Sequence, residues 1–254
     1  MEAESAVGKK AKSGAGHDPF YFYMTIVFAM VTFIGFAPSY WVPMGRGQLS
    51  KPMVLHVHGA IFLGWALFYV YQSWLGATGK TARHKELGIL GVAWATTVAF
   101  MGIVAAYVSD NMRLAHGVPL GGVAMGLAGT LDMLCFVPFM ALALANTRRP
   151  EIHKRGMLVA MIALLDAPIV RWINALNPTM PLTWTLTTAP LYAGLLADLL
   201  LVSPLIHDWR TRGRPHGVTV VGVLMVAVMD LARYAVAPTA AWQAFTRAFL
   251  TAAG

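Results

Sequence analysis

Two sets of residues in this chain are of types that do chemistry and are spaced to do it. The first is four aspartates, Asp132, Asp166, Asp198 and Asp230, each inside a stretch that is otherwise apolar, in a sequence with only eleven acidic residues. A charged side chain at bilayer depth costs roughly 2.5–3.5 kcal/mol on insertion scales, so such groups face a bundle interior, find a partner or line a functional path. Asp132, Asp166 and Asp198 are the candidates for a proton relay. Asp230 and Arg233 are three apart, the spacing of an ion pair along one helix face, and are expected to be structural.

The second set is histidine. His56 and His58 open an apolar run as Leu55-His56-Val57-His58-Gly59 and offer two imidazoles to a metal or a haem. Residues two apart on a regular helix point about 200° from one another, so only one of the pair faces a given partner. His58 shares a stripe with Trp65, Tyr69 and Gln72, the expected bundle-facing side. A metal set would be His56, His58 and Asp132. A haem b would take axial imidazoles from His56 or His58 and from His116, at the same depth, with Arg171 pairing to propionates. His84 with His153 is an inner pair of the same kind, close to loops.

These residues are positioned by elements that read as membrane spans. The chain has 254 residues, 57% hydrophobic and 12% charged, with mean hydropathy +0.61; a soluble domain is nearer a quarter charged. Apolar runs long enough to cross a roughly 30 Å hydrocarbon core recur seven times, at about 20–42, 53–77, 87–108, 118–145, 155–176, 183–206 and 217–238. The expected fold is an all-α integral membrane bundle of seven transmembrane helices, with three helical hairpins after the first helix. Residues 1–18 read as a disordered tail rather than a signal peptide, 19–238 as one membrane domain, and 239–254 as a short segment suited to the interface.

Charge sets the expected orientation. Lys9, Lys10 and Lys12 in the tail join Lys80, Arg83 and Lys85, then Arg148, Arg149, Lys154 and Arg155, then Arg210, Arg212 and Arg214 on one side. That is thirteen of nineteen basic residues, which predicts N-in, C-out. The net charge of +8 is therefore a matter of topology, and no nucleic-acid partner is expected; the partner is the lipid bilayer, with a larger membrane complex or a homo-oligomer as further candidates. One cysteine, Cys135, excludes a disulfide framework. Gly122, Gly126 and Gly129 would let helices approach closely. Pro138, Pro168 and Pro190 fall within predicted spans, where each frees a carbonyl one turn back. Each basic loop also ends in a histidine, His84, His153 or His216, a weak internal repeat.

At FAPSY (36–40), HVHG (56–59), ATGKTARHKELG (77–88) and IHKRGM (152–157) the chain resembles a widespread bacterial family of small multipass proteins. That likeness covers nearly the whole chain and implies a seven-span fold in the bacterial cytoplasmic (inner) membrane, without implying an activity. The His-Lys-Arg helix starts are similar to small membrane proteins of haem-copper oxidase assembly. The topology is also similar to the seven-span zinc hydrolases, but the seventh span here lacks their histidines. The leading expectation is a haem- or metal-binding redox or oxidase-assembly role. The alternatives are a proton-coupled transporter or sensor, and an accessory subunit of a larger complex.

Overall fold

A computed structural model of the chain describes residues 18–118, 125–181 and 188–252, and over these the protein is helical, with no strand. The helices of ten residues or more are α1 (Phe20–Gly35), α2 (Met53–Ala77), α3 (Thr81–Ala115), α4 (Met125–Ala145), α5 (Pro150–Ile162), α6 (Asp166–Leu176), α7 (Ala189–Asp198), α8 (Val202–Arg212), α9 (Gly217–Val236) and α10 (Ala240–Ala252). The first span, Phe20–Gly45, continues past α1 through a π-helical segment at Ala37–Trp41 and a short helix at Val42–Gly45, and two further spans are built from pairs of helices. α5 and α6 together form the fifth, and α7 and α8, joined by a 3-10 turn at Leu199–Leu201, form the sixth. Seven helical segments are then long and apolar enough to cross a membrane.

Proline accounts for the interruptions of the fifth and sixth spans. Pro168 has no N–H to give and its ring presses on the carbonyl four residues back, Leu164, so the helix stops at Ile162 and restarts at Asp166. The gap is bridged by tighter bonds, Leu164 N–H to Met161 O at 3.2 Å and Leu165 N–H to Ile162 O at 2.9 Å. Pro204 stands in the same relation to the 3-10 turn before α8. Pro138 lies inside an unbroken α4. Pro190 falls within the sixth span as the sequence predicts, but in the first turn of α7, where its missing N–H removes no bond and frees no carbonyl.

α5 is the centre of the bundle. Leu158, Val159 and Ala160 are fully buried, and the helix touches α1, α4 and α9. α2 packs between α1 and α3, α3 against α4, and α9 closes the bundle across α4, α5 and α7. The expected hairpins are present as neighbouring pairs, but α3–α4 contact is as extensive, so they are not isolated units. Close approach of α3 and α4 needs small residues: a Cβ on Gly126 would enter the Tyr107 ring and one on Gly129 would collide with Ala106. Gly122 lies outside the described residues.

The surface is apolar where lipid would lie. Leu195, Leu196 and Leu199 on the sixth span and Val221, Leu224, Val228 and Leu231 on α9 are exposed. By contrast the predicted inward stripe of α2 is buried at Trp65, Tyr69 and Gln72. α3 begins at Thr81, six residues before the predicted start, because no Gly or Pro interrupts the polar first turns. α10 is helical and packs on the bundle, with Thr246 and Leu250 buried and Phe249 against Tyr107 at 4.4 Å.

At the basic end, where the α2–α3, α4–α5 and α8–α9 turns gather, a buried ion pair locks three helices. The Arg155 Nε–H donates to both Asp208 oxygens at 3.0 and 3.2 Å, and an Nη group donates to Asp208 as well. The other Nη donates to Glu151 Oε2 at 2.6 Å. Asp208 further accepts from the His216 backbone N–H and the Thr219 hydroxyl, both at 3.0 Å, which completes its shell. Asp18 joins this end through His207 at 2.7 Å, so it lies beside α8 and, through Lys154 at 4.0 Å, beside α5.

Candidate functional site

Three helices deliver ionisable groups to one point inside the bundle. α9 supplies Arg233 and Asp230, α4 supplies Asp132, and the broken fifth span supplies Asp166 at the first residue of α6. Arg233 is the hub. One Nη group donates to Asp166 Oδ2 at 2.5 Å, the other to Asp132 Oδ1 at 2.8 Å, and Asp230 Oδ1 stands 3.5 Å from the latter. The sequence pairs Arg233 with Asp230 alone. The fold gives it two closer partners from helices 67 and 101 residues away.

The carboxylates line a small cavity shared with Cys135, Gly194 and Val226. Gly194 is there for a steric reason: a Cβ at that position would collide with the Asp230 carboxylate. Several polar atoms remain without partners, namely Asp166 Oδ1, Asp230 Oδ2 and the Arg233 Nε–H. Asp166 is 9% exposed and Asp230 6%, so bulk water does not supply the missing bonds. Buried polar atoms left unmatched are rare and mark a place where a proton, water or ion is expected. The position of Asp166 helps to hold charge there, because the first turn of a helix presents unpaired N–H groups and the positive end of its dipole.

Asp198, predicted as a third relay member, is half-buried, and its Oδ1 also lacks a partner. It does not line the cavity but follows Ala197, which does. Asp132 and Asp166, the other two predicted relay residues, meet on Arg233.

The histidines go elsewhere. His56 Nδ1 and the Tyr40 hydroxyl are 2.7 Å apart, which joins the FAPSY phrase to the HVHG phrase across the α1–α2 turn. His58 packs on Phe62 at 4.2 Å and its Nδ1 is buried without a partner. His116 is exposed and bonds the Met112 carbonyl of its own helix at 2.6 Å. Arg171 donates to the Ala167 carbonyl and lies over the Phe36 ring at 4.2 Å. No hydrogen bond or ring contact joins His56, His58 and His116 among the described residues. Nor do three or more His, Cys, Asp or Glu side chains there form a group able to hold a metal ion. The predicted set of His56, His58 and Asp132 is therefore not assembled: Asp132 is held by Arg233, and the two histidines diverge around α2.

Two buried acids escaped sequence reasoning. Asp208 lies in a basic run (DWRTR), where a lone acid is a signal of an ion pair, yet its partner Arg155 looks like an ordinary topogenic charge. Asp110 near the end of α3 is fully buried and accepts from the Met125 and Gly126 N–H groups at 2.9 and 2.7 Å, capping α4.

An all-helical bundle with an apolar outer surface, seven span-length helices and ionic groups turned inward is a multipass membrane protein. No family model, curated protein or solved structure matches the chain.

Proposed function

We propose that the protein is a proton-linked transporter of the bacterial inner membrane, N-terminus inside, whose exchange site is Asp132, Asp166 and Asp230 around Arg233. One observation carries this reading: three carboxylates share a single buried guanidinium at a cavity beside a broken span. Three negative charges against one positive do not balance in a low-dielectric interior, so protons or a small cation must make up the difference. Interrupted helices at membrane depth are tolerated where they line a site, and their free ends are where transporters bind ions. The resemblance of FAPSY, HVHG and the His-Lys phrases to bacterial multipass proteins supports the membrane assigned, and the basic loops support the orientation.

A haem- or metal-based redox role, with His56, His58 and His116, is the competing reading. It rests on residue types, whereas the transporter reading rests on an assembled cluster. Infrared titration of the protein in lipid nanodiscs separates them. The expected result is a protonated-carboxyl band that titrates with pH and weakens in Asp132→Asn and Asp166→Asn, with a pH-gradient-driven proton flux in proteoliposomes lost in the same variants. A flat carboxyl region, with flux equal in wild type and both variants, overturns the proposal. So does a Soret band that shifts on reduction and disappears in His56→Ala or His58→Ala.

A further inference from the structure

Away from the aspartate cluster, at the basic end, the two His-Lys phrases meet. His84 is in the first turn of α3 and His153 in the first turn of α5, and their rings lie 6.0 Å apart, centre to centre, with planes at 85°. Each ring reaches back to the helix before its own: His84 Nδ1 to the Gln72 carbonyl at 3.2 Å, His153 Nδ1 to the Ala143 carbonyl at 2.9 Å. A carbonyl only accepts, so both Nδ1 atoms carry the proton and both Nε2 atoms carry a free lone pair. Neither Nε2 has a hydrogen-bond partner among the described residues, and both rings are half-buried.

This is the arrangement metal-binding imidazoles need. A carbonyl on Nδ1–H fixes the tautomer, orients the ring and raises the basicity of Nε2. Two imidazoles holding one ion through Nε2 at 2.0–2.1 Å have ring centres about 5–6.5 Å apart, and this pair falls within that range. Gln72, whose backbone carbonyl holds His84, buries its side-chain amide with neither oxygen nor nitrogen bonded. The histidine of the third repeated turn, His216, differs: its Nδ1 accepts from the Val218 N–H at 3.1 Å and caps α9. Repetition of basic turns alone therefore does not produce the tautomer shared by His84 and His153.

We infer that His84 and His153 form a two-imidazole site for a late first-row transition-metal ion, Zn2+ or Cu2+, with water completing its coordination. Imidazole suits these ions, and the Nδ1–carbonyl bonds fix the tautomer of both rings in the first turns of their helices.

The test uses the full chain, stripped of metal by chelator in detergent and titrated with Zn2+ alone. One ion per chain is expected. His84→Gln and His153→Gln should each weaken binding by at least about tenfold, the scale on which even outer-sphere changes act. His56→Gln and His17→Ala should leave it unchanged. Copper(II) bound to the wild-type protein should give a paramagnetic resonance spectrum with coupling to two nitrogens, a readout independent of whether the variants fold. Absence of binding overturns the inference, as does binding retained in both His84→Gln and His153→Gln, loss confined to His17→Ala, or copper without nitrogen coupling.

Discussion

The residue on which the interior depends is Arg233. It is the shared partner of three buried carboxylates, so removing its charge does more than delete contacts. It leaves like charges facing one another away from water. Breaking a buried ion pair from one side costs about 3–5 kcal/mol, and Arg233→Gln is expected to lose at least that much. Asp230→Asn should lose less, since its 3.5 Å contact is the longest of the three and the amide keeps the shape. Equilibrium unfolding in mixed micelles orders the two variants. An Arg233→Gln protein as stable as wild type would mean that the carboxylates are not held by this charge. Arg155 at the basic end is a different case, because Asp208 is satisfied by the His216 backbone N–H and Thr219 as well as by the guanidinium. That pair is complete as it stands, whereas the Arg233 cluster is left with unmatched oxygens beside a cavity.

Among the elements, the broken fifth span and the short sixth-span helix α7 shape the cavity into which α4 and α9 bring the other charged groups. Pro168 ends α5 early and turns Asp166 into the first residue of a new helix. It also packs against Gly35 of α1, where a Cβ would overlap the proline ring. Across the cavity Gly194 leaves room for the Asp230 carboxylate. Gly194→Ala is therefore expected to displace that carboxylate, change the carboxyl infrared signal, and destabilise the protein by about 1–3 kcal/mol as an overpacked site does. An unchanged spectrum with unchanged stability would show that the carboxylate has space to spare. Sequence reasoning reached part of this. Pro168 was a visible sign of a freed carbonyl, but whether a proline kinks a helix, as Pro138 is accommodated in α4, or divides it, as at Leu164, depends on what packs around the gap.

On the scale of the whole molecule, the basic end and its opposite face different media. In a Cys135→Ala background, Arg148→Cys is expected to react with an impermeant thiol reagent only from the cytoplasmic side and Gln48→Cys only from outside. Both positions are exposed, in turns at opposite ends of the bundle. Labelling with the opposite sidedness would invert the topology and place the His84–His153 pair outside. The exposed leucine and valine rows of α9 and the sixth span are suited to face lipid, while the ionic groups Asp166, Asp230 and Arg233 are buried inside the bundle.

The sequence by itself determined the class of fold. Span number and helical content follow from runs of apolar residues, because a bilayer satisfies no backbone hydrogen bonds and leaves the chain little else to do. The inward stripe of α2 was legible for a related reason, since polar and aromatic residues repeat with the helical period at Trp65, Tyr69 and Gln72. The four intramembrane aspartates were legible as anomalies. Which groups meet was decided only by tertiary structure. Asp132, Asp166 and Arg233 are separated by 34 to 101 residues, and nothing local to any of them names the others. Likewise His56 found Tyr40 rather than His116, and Arg155 found Asp208, because partners are chosen by how helices pack and where a proline ends one. Local periodicity tells each helix which face to bury, while the depth and rotation of one helix against another is a property of the packed bundle.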